Sequence, residues 1–122
     1  MKQFLGIDKY EWTKHAQFKM RQYGLSEQRI KRVIRYPYRS EEGIASSTVA
    51  VMQPASVRRT SAGKPAWSQE IWAMYKVVLK RRGNSKLRGK TIRIITAWRY
   101  PGVSPKRDPI PEEVLMEIQS LL

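Results

Sequence analysis

The chain has no cysteine, which excludes disulfides, zinc–thiolate sites, iron–sulfur clusters and thiol nucleophiles. It has one histidine, so an ordinary transition-metal site lacks its nitrogen ligands and no metal is expected. No stretch approaches about 18 consecutive apolar residues, so no transmembrane helix and no membrane partner are expected. The opening MKQFLGIDKYEW carries no long apolar run of the secretory type, and a cytoplasmic location is the expectation. A Walker loop, a dinucleotide fingerprint and an HExxH helix are all missing, so no small-molecule cofactor is expected. Acidic residues are scarce: 10 Asp plus Glu stand against 24 Lys plus Arg, a formal net charge of +14.

The few acids are also unevenly placed. Asp108, Glu112, Glu113 and Glu117 lie in the last stretch, 108–122, which holds no Lys or Arg. The first 107 residues therefore carry 24 basic and 6 acidic side chains, a net +18. Such a field draws polyanions, and the interleaving of aromatics with cations favours nucleic acid over a membrane surface. At 122 residues and 41% hydrophobic, the chain has material for one domain with one modest core. That core is expected over about 8–103, with a basic loop at 54–68 and an acidic helix at 110–122.

Periodicity gives the elements. Asp8 with Glu11 three residues on is a capping-box pattern, so a helix is predicted over 8–23, with Thr13 as an alternative start. Trp12, Ala16, Met20 and Tyr23 share one face, and Gly24 ends the helix. Ser26 opens a second helix with Ile30, Val33 and Ile34 inward, which Tyr36-Pro37 stops. The period then changes to two. Strands are predicted at 48–53, 69–80 and 91–100. On the second, Ile71, Ala73 and Tyr75 face one way and Trp72, Met74 and Lys76 the other. On the third, Ile92, Ile94, Thr96, Trp98 and Tyr100 form one face, and Arg93, Ile95, Ala97 and Arg99 the opposite one. Residues 81–90 form a basic hairpin loop, and 54–68 reads as a mobile loop. Pro111, followed by Glu112 and Glu113, starts a final helix with Val114, Leu115, Ile118, Leu121 and Leu122 as its apolar stripe. Glu117 falls on the polar face. Two helices, an antiparallel sheet of three or four strands and a C-terminal helix make an α+β fold.

The run from Thr13 to Ser26 (TKHAQFKMRQYGLS) resembles the opening of a family of small domains. Those domains begin with a Thr-x-His-Ala helix, place Met five residues after the His, break at Gly-Ile/Leu-Ser/Thr, and end a second helix at Asn-Pro or Tyr-Pro. They close on a strand of the type Ile-Ile-Thr-x-Tyr, here Ile94-Ile95-Thr96-Ala97-Trp98. The family is similar in layout to the RelE- and BrnT-type toxins of bacterial toxin–antitoxin pairs. The resemblance implies a RelE-like fold, ribonuclease activity on RNA or at the ribosome, and an acidic antitoxin-like partner. Family members commonly carry Arg where Lys19 and Tyr23 stand.

Metal-independent RNA cleavage needs a base for the 2′-OH, cations for the phosphate and an acid for the departing oxygen. His15 is the one residue of the type that titrates near neutral pH, with Lys19 one helical turn away. The alternative for His15 is a structural hydrogen bond across to the sheet. Lys76, Arg93 and Arg99 are candidates to clamp phosphate from one sheet face, and Tyr100 to donate a proton or stack on a base. Candidate RNA contacts are Arg29, Arg32, Arg35, Tyr36, Tyr38, Arg39, Arg58, Arg59, Arg81, Arg82, Lys86 and Arg88, with the tyrosines as stacking platforms. Three functions stay open on the sequence: a toxin-type ribonuclease, a non-catalytic RNA- or ribosome-binding module, and a phage- or mobile-element accessory protein that binds a host protein.

Overall fold

The computed structural model describes residues 7–42, 47–81 and 88–121, with backbone alone at positions 8, 80, 81 and 88. The elements run β1 (Ile7–Trp12), α1 (Lys14–Tyr23), α2 (Glu27–Arg35), β2 (Arg39–Glu42), β3 (Thr48–Pro54), β4 (Arg58–Arg59), β5 (Pro65–Ala66), β6 (Gln69–Arg81), β7 (Arg88–Pro101) and α3 (Glu112–Leu121). The fold is α+β. Five strands form one sheet in the order β1-β7-β6-β3-β2, and β4-β5 form a separate ribbon.

The sheet is mixed, where an antiparallel sheet of three or four strands is the expectation. β1 supplies the parallel pairing: it runs beside β7, with Tyr10 opposite Ile92 and Trp12 opposite Ile94. This corrects the helix predicted from Asp8. Tyr10 and Trp12 pack on one core with their rings stacked at 6.2 Å, a period of two that ends where Thr13 begins the helical period. β2 is also unforeseen from the sequence, because RSEE has no apolar signal. The predicted loop at 54–68 instead holds the β4-β5 hairpin, closed by Thr60 N–H donating to Lys64 C=O at 2.9 Å.

Helix caps follow their residue chemistry. Thr13 caps α1 by accepting from Ala16 N–H at 3.0 Å, and Ser26 caps α2 by accepting from Arg29 N–H at 3.0 Å; each satisfies an orphan donor of the first turn. Gly24 closes α1 at φ +65°, the left-handed region that favours glycine.

One extra residue in β7 sets the whole arrangement. Met74 pairs with Thr96 but Tyr75 pairs with Ile94, so Ile95 is a bulge. The bulge reverses the facing of everything beyond it. Ile92, Ile94 and Ala97 face α1 and α2, together with Ile71, Ala73 and Tyr75 of β6. Trp98 and Tyr100 turn to the opposite face, where Trp72, Met74 and Met52 meet Val114 and Ile118 of α3. The expected single face from Ile92 through Tyr100 is thus split in two. Trp72 and Trp98, both buried, stack at 5.6 Å and 5° beneath α3. α2 packs on one face of the sheet and α3 on the other, while α1 runs along the flank of β7 and reaches both.

Glu70 is fully buried on the α3 face. Its carboxylate accepts from Trp67 Nε1 at 2.8 Å, Trp72 Nε1 at 2.9 Å and Ser104 N–H at 3.1 Å. It thereby pins both the end of the hairpin and the segment leading to α3.

Candidate functional site

α1 is tied to the bulge. Thr13 Oγ1 donates to the Ile95 carbonyl at 3.1 Å and Thr13 N–H to the Ile94 carbonyl at 3.2 Å. At the far end of the helix, Arg99 Nε donates to the Tyr23 carbonyl at 2.7 Å. The helix therefore runs alongside the second half of β7. Ala16 and Met20 turn into the core, while His15 and Lys19 point toward α3.

There they meet a carboxylate. Glu117 stands with Oε1 3.0 Å from Lys19 Nζ and Oε2 3.4 Å from His15 Nε2. The lysine side chain is only 12% exposed. His15 Nε2 and Glu117 Oε2 are both buried, and neither completes a hydrogen bond among the described residues. Glu117, a polar-face residue by sequence, keeps 37% of its side chain exposed, but the helix that carries it docks by Val114 and Ile118, which brings the carboxylate over α1. The arrangement is an anion seat one helical turn wide, with an imidazole at one end and an ammonium at the other.

The remaining catalytic candidates are distributed. Lys76 and Arg93 are cross-strand partners, on the sheet face that α3 packs against. Lys76 is exposed, and Arg93 Nε donates to Glu11 Oε2 at 3.0 Å. Arg99 does not join them, because the bulge places it on the α1/α2 side. There it closes the carbonyl end of α1, where a helix favours cations, and bonds Gln69 Oε1 at 3.0 Å. Tyr100 shares a face with Lys76 but lies seven positions beyond Arg93, roughly 20 Å along an extended strand. It packs on the tryptophan cluster. The expected shared cationic face reduces to Lys76 and Arg93.

The candidate RNA contacts divide in the same way. Arg29 is half-buried and bonded to Gln53 and the Pro54 carbonyl. Burial first, then the nearby Arg32 and Arg99, pull its pKa below the ordinary guanidinium value. Arg39 bonds Glu41 at 2.6 Å, Ser104 at 3.1 Å and the Lys106 carbonyl at 2.8 Å, and lies over Trp72. Both serve the fold. Arg35 is exposed and donates to Tyr10 Oη at 3.1 Å. Arg32, Tyr36, Tyr38, Arg58 and Arg59 are exposed. Tyr38 meets Trp67 edge-on at 5.1 Å, and Trp67 directly follows β5, the partner of Arg58 and Arg59. The Tyr38–Trp67 contact thus joins the segment after α2 to the base of the hairpin that carries Arg58 and Arg59. Arg82 and Lys86 lie outside the described residues, as do the side chains of Arg81 and Arg88.

Sequence reading missed Glu117, Glu70 and Glu11. A signal existed for Glu70, which shares strand parity with its near neighbours Trp72 and Met74 and is buried with them. Glu117 had a weaker signal, its place at the border of the Val114–Ile118 stripe. Among the described residues no group of three or more His, Asp or Glu side chains is placed to hold a metal ion, and no helix is long and apolar enough to cross a membrane. Comparison with family models, curated proteins and solved structures finds no match to this chain.

Proposed function

We propose that the protein binds RNA and cleaves it by metal-independent acid–base chemistry, in the manner of a RelE/BrnT-type toxin. The observation that carries this reading is the His15–Lys19 seat, which already grips an oxyanion, the Glu117 carboxylate. A phosphodiester offers two non-bridging oxygens of the same charge and spacing class. With RNA in the seat, His15 takes the 2′-OH proton as the 2′-oxygen bonds to phosphorus. Lys19 neutralises charge on the phosphate. The bond from phosphorus to the 5′-oxygen breaks, that oxygen takes a proton from water, and His15 returns to water the one it removed, giving a 2′,3′-cyclic phosphate and a 5′-hydroxyl. Lys76 and Arg93 supply further positive field on the same side of the sheet. The exposed Arg32, Tyr36, Tyr38, Arg58 and Arg59 hold the flanking strand by phosphate contacts and base stacking. Support also comes from the helix pair preceding an antiparallel meander, which suits a RelE-type layout, and from the +18 body, which suits an acidic neutralising partner.

The test is incubation of labelled single-stranded RNA with the protein in EDTA, beside His15→Ala and Arg93→Ala. Products ending in 2′,3′-cyclic phosphate, lost in His15→Ala, are expected. The assay is repeated on translating ribosomes, and absence of cleavage in both settings refutes the enzyme. The engagement of Arg99 and Tyr100 elsewhere in the fold favours a second reading, a non-catalytic RNA-binding module. Salt-dependent binding without cleavage in either setting establishes that one.

A further inference from the structure

We propose that α3 is an internal occupant of the anion seat: Glu117 fills the place of a phosphate between His15 and Lys19, and the helix must move aside before a phosphate-bearing ligand enters. Only the identity of that ligand as RNA rests on the function proposed above. The competition itself concerns any phosphate.

The geometry is that of a stand-in. The two Glu117 oxygens are divided between the two groups, one at 3.0 Å from Lys19 and one at 3.4 Å from His15, as two non-bridging phosphate oxygens would be. The fit is loose on the histidine side. His15 Nε2 and Glu117 Oε2 are buried and facing, yet form no hydrogen bond with each other or with any other described residue. A buried polar pair in that condition gains from a better-placed acceptor.

The attachment of α3 is thin. Its buried side chains are Val114 and Ile118, while Met116 is 65% exposed and Leu121 47% exposed. The segment leading into it contains Gly102 at φ +92° and Asp108 at φ +48°. Beneath the helix lies the stacked Trp72–Trp98 pair, and the Trp98 indole N–H, though buried, finds no acceptor among the described residues. Withdrawal of α3 would uncover an aromatic floor with a free donor, on the sheet face that adjoins the oxyanion seat. A nucleotide carries those same three features: a flat base, an acceptor edge and a phosphate. Charge placement agrees, since the four acids of 108–122 stand against the +18 of the preceding chain.

The experiment uses the full chain and its single histidine, whose imidazole signals are unique in an NMR spectrum. Inorganic phosphate is titrated into the wild type, Glu117→Gln and Glu113→Gln. The last makes the same charge change on an exposed position of the same helix. If the closed form holds nine-tenths of the population, Glu117→Gln binds phosphate about tenfold more tightly by the His15 shift. Glu113→Gln is expected to match the wild type, and Ile118→Val, which loosens α3 without touching the seat, to move in the same direction as Glu117→Gln. Equal phosphate affinity in the wild type and Glu117→Gln overturns the proposal, as does an equal gain in Glu113→Gln. Should Glu117→Gln fail to fold, an Ile118→Val affinity equal to the wild type overturns it. A single-stranded RNA of about 12 nucleotides, within the range one small binding surface covers, is then titrated into the same proteins by anisotropy. A phosphate gain without any RNA binding leaves the occlusion standing and removes RNA as the ligand. RNA binding equal in all variants, with equal phosphate affinities, does the reverse.

Discussion

Glu70 is the residue whose loss the fold should feel most per atom removed. In Glu70→Leu the volume is nearly kept, but three donors lose their acceptor. Trp67 is partly exposed, so water can serve its indole. The Trp72 indole and the Ser104 amide are buried and are left unsatisfied, at about 1–3 kcal/mol each. The expected cost is therefore about 4 kcal/mol, a large share of the roughly 5–15 kcal/mol that holds a domain together. With an unfolding entropy of about 2.1 cal/mol/K per residue, a chain of 122 residues would lose about 15 °C in melting temperature. Glu70→Gln should fall between, because its amide N–H2 points a donor at donors. Burial alone would raise the Glu70 pKa, but the hydrogen bonds from Ser104, Trp67 and Trp72 outweigh it and hold the group below the ordinary carboxylate value. A group with a depressed folded pKa contributes stability that is present above its unfolded pKa, about 4.3, and is lost as pH falls through the folded value. The gap between wild type and Glu70→Gln should thus be constant near neutrality and narrow only below about pH 4. Thermal unfolding followed by circular dichroism across that range measures it. A fall of less than about 4 °C in Glu70→Leu, worth roughly 1 kcal/mol, refutes the assignment of Glu70 as the anchor of this region.

Four further outcomes are expected. Deleting Ile95 removes the bulge and drives Trp98 and Tyr100 against α1 and α2, so cooperative thermal unfolding should vanish; a sigmoidal melt would contradict the account of the two faces. Thr13→Ala loses the α1 cap and the bond to the bulge carbonyl, at about 1 kcal/mol or somewhat more, read as a lower urea midpoint with unchanged slope. Arg58→Ala and Arg59→Ala should each lower the salt dependence of RNA affinity by about one unit of slope without altering stability. Arg29→Ala, by contrast, should destabilise the fold through the lost Gln53 and Pro54 contacts, and a stability equal to wild type would move it to the surface set.

Where the chain keeps one period, the sequence sufficed. The facing of β6 and the capped span of α2 are both legible, because each apolar residue sits at the spacing its element imposes. β1 was hidden by coincidence: Asp8 and Glu11 mimic a helix start, and Trp12 also fits the helical stripe of Ala16 and Met20. The bulge was invisible in principle. The alternation on either side of Ile95 is regular, and only pairing with β6 reveals that the two halves are out of step. That single residue removed Arg99 from the expected phosphate clamp. The Glu117 contact was unreadable for another reason, since it joins residues 98 positions apart and depends on how α3 lands. The pairing of His15 with Lys19 and of Lys76 with Arg93 was legible from helical spacing and strand alternation, whereas the arrival of Glu117 at the first pair and of Glu11 at Arg93 needed the fold.

The margins of the sheet bear on how the protein behaves when concentrated. Its two outer strands are β1, of six residues, and β2, of four, and β2 reads Arg-Ser-Glu-Glu. Beyond Trp12 the flank of β7 is taken by a helix instead of a strand. Unpaired strand edges are templates on which further chains can stack, and short, charged or helix-covered edges resist this. Under the RNA binding proposed above, copies would crowd along a strand at high local density, where an open apolar edge would seed fibres. With margins this short, charged or covered, and a net charge of +14, copies brought together would remain separate molecules.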